Sequence, residues 1–139
     1  MNVKGLPLRY RRLVAAARRA KRHSYSPYSK FRVGAALLTS RGTTYIGCNI
    51  ENSSYGLTIC AERTAVFKAV SEGEKKFVAI AVTSDSKDFT PPCGACLQVL
   101  MDLARGIDFI MADGRGKLKV MKLNDLLPYP FDGNNLLHT

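Results

Sequence analysis

Three cysteines and one glutamate carry the chemistry on offer in this sequence. Cys93 and Cys96 form a Cys-x-x-Cys pair, and Cys60 stands upstream of them with Glu62 two residues after it. In a reducing compartment such a pair reads as metal-binding or redox-active, whereas in a secreted chain the four cysteines, Cys48 included, would allow three full disulfide pairings. The first residues lack the continuous apolar run of a secretory signal, so reduced thiols are expected. A thiolate at a helix start feels the positive end of the helix dipole and unpaired N–H groups, which lower its pKa and favour metal ligation. Three sulfurs would leave the fourth tetrahedral position of a Zn²⁺ ion open to water, as in a catalytic rather than a structural site. Glu62 could then act beside that water as general acid and base without being a ligand. Two plainer readings stand against this one. The cysteines could be ordinary small buried hydrophobes, or Cys48 could complete a structural zinc site, although its place at a strand end suits packing better.

The elements that must position these residues follow from periodicity. Apolar residues from Leu8 to Arg22 recur at helical spacing with arginines on the other faces. The segment 24–30, with Pro27 and two tyrosines, breaks that helix, and Arg32 to Thr39 reads as a buried strand. Arg41-Gly42 marks a turn into a second strand, Thr43 to Asn49. A polar loop, Ser53 to Thr58, leads into a helix from Ile59 to Ser71 closed by Gly73. Phe77 to Thr83 is a strand, 84–92 a loop with two prolines, and Cys93 to Ala104 a helix ended by Gly106. Ile107 to Met111 and Leu118 to Met121 are short strands, followed by a helical turn over Leu123 to Leu127. Together these predict an α/β fold, a three-layer sandwich around one mixed five-stranded sheet, as a single domain over 1–139. The pattern does not settle how the last strand pairs. Cys60 and Cys93 both fall at helix starts, just after loops.

With the elements in place, Cys60-Ala61-Glu62-Arg63 and Pro92-Cys93-Gly94-Ala95-Cys96 resemble the two halves of the cytidine deaminase zinc signature. The segments 29–36 and 48–52 resemble the same family's substrate-binding regions, so the likeness runs from about Tyr25 to Phe131. The resemblance implies a cytidine deaminase-like fold and a small homotetramer with one Zn²⁺ per subunit, held by Cys60, Cys93 and Cys96. It implies hydrolytic deamination of cytidine and deoxycytidine to uridine and deoxyuridine with release of ammonia. A zinc-activated hydroxide would attack C4 and Glu62 would carry the protons, in pyrimidine salvage. It further implies that Phe31 packs against the pyrimidine, that Asn49 and Glu51 bind the ribose hydroxyls, and that the backbone at Ala61 meets the base. Tyr28 and Phe131 match aromatic positions contributed to a pocket across a subunit boundary. Arg63 matches an arginine that offsets the excess negative charge of three thiolates on one Zn²⁺. Many relatives carry another arginine after the third cysteine, where this chain has Leu97, leaving Gln98 and the helix N-termini to make up the difference.

Composition bounds the alternatives. The 139 residues are 46% hydrophobic and 23% charged, with no apolar run of membrane-spanning length. Lys and Arg number 21 against 11 Asp and Glu, a net charge of +10, and no acid precedes Glu51. An Arg-rich, acid-free start is one mark of organelle transit segments, but serine is absent before Ser24, so a cytoplasmic location is expected. A solvated charged face is the default reading of the first helix. The excess charge also admits a zinc-stabilised nucleic-acid-binding module without chemistry, or a deaminase acting on cytosine in a polynucleotide. Glu62 disfavours the first, since a binding module needs no acid beside the metal, and the Glu51 carboxylate disfavours the second by repelling phosphate. Nucleic acid is therefore not the favoured partner. His23 and His138 have no zinc-like spacing and are expected at the surface.

Overall fold

The structure, a computed structural model, describes residues 3–137. The first long helix, α1 (Leu8–Lys21), buries Tyr10, Leu13, Val14, Ala17 and Ala20 at the three- and four-residue spacing seen in the sequence. It packs on a sheet whose first hairpin is β1 (Val33–Thr39) and β2 (Thr44–Cys48). Then come α2 (Ala61–Ser71), β3 (Phe77–Ser84), α3 (Gly94–Leu103), β4 (Asp108–Ala112) and β5 (Leu118–Lys122). Two short helices close the chain, α4 (Leu123–Leu126) and α5 (Asn134–Leu137), the second without a signal in the sequence pattern.

The sheet order is β2-β1-β3-β4-β5, with β3 and β4 parallel and every other neighbouring pair antiparallel. The expected mixed five-stranded sheet is therefore present, and β5 pairs antiparallel with β4 at one edge. Central strands are apolar on both faces because both are covered. Ala35, Leu37, Ile80, Val82 and Phe109 face α2 and α3, whereas Ala36, Leu38, Ala79, Ala81 and Ile110 face α1.

Two glycines set how closely the helices lie on the sheet. A Cβ on Gly34 would stand 2.2 Å from the Ala17 carbonyl oxygen, and one on Gly47 would stand 2.5 Å from both the Ala61 oxygen and the Ala65 nitrogen. The second contact presses the first turn of α2 onto β2, which fixes the height of Cys60 above the sheet edge.

Element boundaries differ from expectation by one or two residues. The consequential differences are at the helix starts, because α2 begins at Ala61 and α3 at Gly94, leaving Cys60 and Cys93 as extended N-cap residues. No described helix is long and apolar enough to cross a membrane. His23 is exposed, and His138 lies outside the described residues.

Candidate active site

Cys60 and Cys93 hold nearly the same backbone conformation, φ −72° and ψ 156° against φ −73° and ψ 163°. Each is the last extended residue before a helix, so each sulfur sits by a helix N-terminus. Cys96 lies one turn into α3, and its backbone N–H donates to the Cys93 sulfur at 3.5 Å. The Cys60 and Cys93 sulfurs are 3.8 Å apart and those of Cys93 and Cys96 3.4 Å, with all three sulfurs within 4.8 Å of one another. Sulfurs each about 2.3 Å from a tetrahedral zinc stand about 3.8 Å apart, so the triangle fits that ion with little adjustment. Among the described residues this is the one cluster of three or more His, Cys, Asp or Glu side chains able to hold a metal. Cys48 is outside it, on β2, where burial pushes its thiol pKa up.

Around the sulfurs the electrostatics are arranged by a few named groups. Hydrogen bonding from Cys96, with help from Arg63 and Cys93, pulls the Cys60 thiol down to about 5. Cys96 moves the opposite way, through its hydrogen bond to Cys60, its burial and the charge of Glu62. The Arg63 guanidinium donates to the Cys60 sulfur at 3.5 Å, and its buried Nε has no hydrogen-bond partner. A fixed positive charge is thus held against one sulfur of the cluster, at the position where the resemblance implies a compensating arginine. Glu62, only 5% exposed, has its carboxyl pushed up to about 7 by burial, with the Cys60 charge adding to the effect. A carboxyl poised there can both take and give a proton near neutral pH.

Beside the sulfurs opens a cavity of about 270 Å³. Cys60, Cys93 and Glu62 lie on its wall together with Phe31, Asn49, Glu51 and Ala61, so the structure gathers every substrate-facing residue expected from the sequence, apart from the two aromatics assigned to a subunit boundary. The gathering depends on an irregular layer. Ile50 exchanges both backbone hydrogen bonds with Ile59 at 3.0 Å, while Tyr25 bridges in parallel to the same Ile50. These bonds bring 24–31 and 49–52 against the residue preceding Cys60.

Within that layer Glu51 and Asn49 are held differently. Glu51 Oε1 accepts the backbone N–H groups of Tyr28 (3.0 Å) and Ser29 (3.1 Å), and the Ser29 hydroxyl donates to Oε2. The Ser29 hydroxyl and these two amides keep the Glu51 carboxyl below the usual range. Asn49 is 8% exposed, and its side chain already bonds the backbone: Nδ2 donates to the Phe31 carbonyl (2.8 Å), and Oδ1 accepts from Val33 N–H (2.9 Å) and from the Ser24 hydroxyl. One amide N–H remains for a ligand. Ser29, from the segment 29–36 that resembles the family's substrate-binding region, also lines the cavity, together with Thr58, Thr90 and Pro91, which had no signal in the sequence because none sits in a periodic element or a matched motif. Tyr28 and Phe131 are exposed outside this cavity. Tyr28 packs edge-on against Tyr55 with ring centroids 6.0 Å apart, and the Phe131 carbonyl accepts from Gln98 Nε2 at 2.8 Å.

Comparison with known proteins matches this arrangement to a family. A family model described as the cytidine and deoxycytidylate deaminase zinc-binding region matches residues 9–111, which include Cys60, Glu62, Cys93 and Cys96. The chain belongs to that deaminase family. It is 46% identical to a cytidine deaminase of Sporosarcina psychrophila over 90% of this chain and 93% of the relative. Among solved structures, it superposes on cytidine deaminase from Burkholderia pseudomallei with a TM-score of 0.84 and 44% identity, covering 86% of this chain and 97% of the other. Cytidine deaminase from Mycobacterium tuberculosis matches with a TM-score of 0.78 and 36% identity, covering 90% and 98%.

In this deaminase the three-cysteine cluster could hold a zinc ion, and it lies within the region the family model describes as zinc-binding. Leu97 points into the core shared by α2 and α3 and offers nothing to the sulfurs. Gln98, expected to help offset the thiolate charge, instead donates to the Phe131 carbonyl. Of the expected compensating side chains, Arg63 alone is bonded to a ligand sulfur among the described residues.

Proposed function

We propose that this zinc-dependent deaminase converts cytidine and deoxycytidine to uridine and deoxyuridine with release of ammonia, in cytoplasmic pyrimidine salvage. The observation that carries the reading is the shared cavity. A buried carboxyl raised to about 7, Glu62, faces the same space as two of the sulfurs and a charged, pre-bonded carboxylate, Glu51. Zinc bound at Cys60, Cys93 and Cys96 supplies a Lewis acid that brings the pKa of water toward neutrality.

The chain's own residues do the remaining work. Glu62 takes a proton from the attacking water and passes it to N3 of the ring as the C4–O bond forms. The same carboxylate then takes the proton of the new C4 hydroxyl and hands it to the amine as the C4–N bond breaks and the C4 carbonyl forms, so that water and cytidine give uridine and ammonia. Phe31 packs on the pyrimidine and the backbone at Ala61 meets its edge. Glu51 accepts from a ribose hydroxyl while the remaining Asn49 N–H donates to one, because a hydroxyl both gives and receives. Arg63 keeps the thiolate charge in check. Exposed Tyr28 and Phe131 meet neighbouring sites in a homotetramer.

A substrate panel tests the proposal. Zinc-loaded protein should release ammonia from cytidine and deoxycytidine and leave cytidine 5′-phosphate and cytosine in an oligonucleotide nearly untouched, since Glu51 repels phosphate. Preferred turnover of the phosphorylated substrates would overturn the assignment of Glu51.

A further inference from the structure

The outward side of α1 is a surface on which the deaminase reading makes no demand. Its apolar stripe is buried on the sheet, which leaves Arg9, Arg11, Arg12, Arg18 and Arg19 exposed along a 14-residue helix, about 21 Å long at 1.5 Å per residue, with Arg22 exposed as its C-cap. Lys4 continues the array. Among the described residues, none of the Arg11, Arg12, Arg18, Arg19 and Arg22 side chains forms an ion pair or hydrogen bond. Arg9 lies over the Tyr10 ring.

The acids of the neighbouring strand ends are already committed. Asp85 pairs with Lys21 and Arg32, Asp108 with Lys122 and the Tyr10 hydroxyl, and Asp113 accepts the backbone N–H groups of Arg115 and Lys117. The cationic face runs into a depression at each end, one of about 490 Å³ beside Arg9 and Arg12 and one of about 460 Å³ beside Arg18 and Arg22. It also lies across the sheet from the cavity, since α1 covers one face and α2 and α3 the other.

We propose that the exposed arginine face of α1 docks double-stranded nucleic acid through its phosphates, without reading sequence. Arginine suits this because its planar fork makes paired hydrogen bonds to phosphate oxygens. A duplex rather than a single strand fits the face. Single-strand binders interleave aromatic rings for base stacking, and the one ring within α1, Tyr10, is buried with its hydroxyl bonded to Asp108. An anionic membrane fits less well. Interfacial helices bury an apolar face in lipid, whereas that face of α1 is taken by the sheet and Leu8 is its one exposed large hydrophobic.

The test is salt-dependent binding of a labelled duplex of about 20 base pairs and arbitrary sequence to the zinc-loaded full chain. Four phosphate contacts predict a log–log salt slope near −4 and micromolar-range affinity at moderate salt. The joint substitution Arg11→Gln, Arg12→Gln, Arg18→Gln, Arg19→Gln keeps good helix formers on α1 and should lower affinity at least 30-fold, flatten the slope and leave cytidine turnover unchanged. A matched set removing four exposed lysines elsewhere, Lys75, Lys76, Lys87 and Lys119, should lower it less than 3-fold. Equal losses from both sets, or no duplex binding at low salt, would overturn the proposal. So would tighter binding to phosphatidylserine vesicles than to the duplex.

Discussion

The hydroxyl of Ser29 donates to a carboxylate oxygen of Glu51 and accepts the backbone N–H of Phe31 at 3.0 Å. One small side chain therefore ties together the residue proposed to bind ribose and the residue proposed to pack on the base. The connection is made possible by Lys30, whose φ of 58° turns the chain sharply between Ser29 and Phe31. Ser29→Ala should raise KM for cytidine roughly 3- to 10-fold with a smaller effect on kcat, because a hydrogen bond to a charged group contributes about 1 kcal/mol or more. A fall confined to kcat would contradict a positioning role.

Arg63 holds Cys60 and should hold the metal through it. Interactions that orient or neutralise metal ligands are commonly worth 10- to 100-fold in affinity. Arg63→Ala should therefore speed zinc loss to a competing chelator by roughly 10-fold or more, and Arg63→Lys should restore part of the retention by keeping the charge. Chelator competition followed by absorbance reads both, and unchanged zinc release would show that Arg63 is only a surface cation.

Gly47 and Gly34 offer a paired comparison. Alanine at either position drives a Cβ into helix backbone at 2.5 Å or less, so both variants should be destabilised by at least about 1–3 kcal/mol, read as a lower melting temperature. Their effects on the site should part. Gly47→Ala displaces the start of α2 and with it Cys60 and Glu62, whereas Gly34→Ala strains α1 on the far side of the sheet. Below both melting temperatures, Gly47→Ala should lose far more deaminase activity, and equal losses would sever the link between this contact and the site.

Asp85 makes stability depend on acid pH. Its hydrogen bonds to the Arg32 guanidinium, with Lys21 nearby, hold its carboxyl at about 2 against an ordinary 3.8. A folded-state pKa below the unfolded one gives a contribution fully present above the unfolded value and lost as pH falls toward the folded one. The melting-temperature gap between the wild type and Asp85→Asn should thus be constant above about pH 5 and close between about 4 and 2. A gap that persists to pH 2 would show that the pair contributes through shape alone.

Much of this architecture is legible in the residues because periodicity carries it. The stripe Tyr10, Leu13, Val14, Ala17 predicts α1, and the apolar runs of β1 and β3 predict strands covered on both faces. The zinc cluster is legible for a different reason, because Cys60-Ala61-Glu62-Arg63 and Pro92-Cys93-Gly94-Ala95-Cys96 together resemble the cytidine deaminase zinc signature. What escapes the sequence is held by contacts between irregular segments. The cap conformation of Cys60 and Cys93, the turn at Lys30 and the Ile50–Ile59 bridge have no period, so Thr58, Thr90 and Pro91 reach the cavity unannounced. Asn49 shows the same limit: the resemblance implies a ribose-binding side chain, yet most of its amide is spent on the backbone of Phe31 and Val33.

The central claim, that Glu62 moves the protons of a hydrolytic deamination at a cysteine-held zinc, is tested most directly by the ultraviolet spectrum of cytidine incubated with zinc-loaded wild type and with zinc-loaded Glu62→Gln. The account predicts conversion to uridine by the wild type and a rate lower by roughly 10²- to 10⁴-fold or more in the variant, with equal zinc content in both. Comparable turnover by the two proteins, or none by a folded, zinc-loaded wild type, would contradict it.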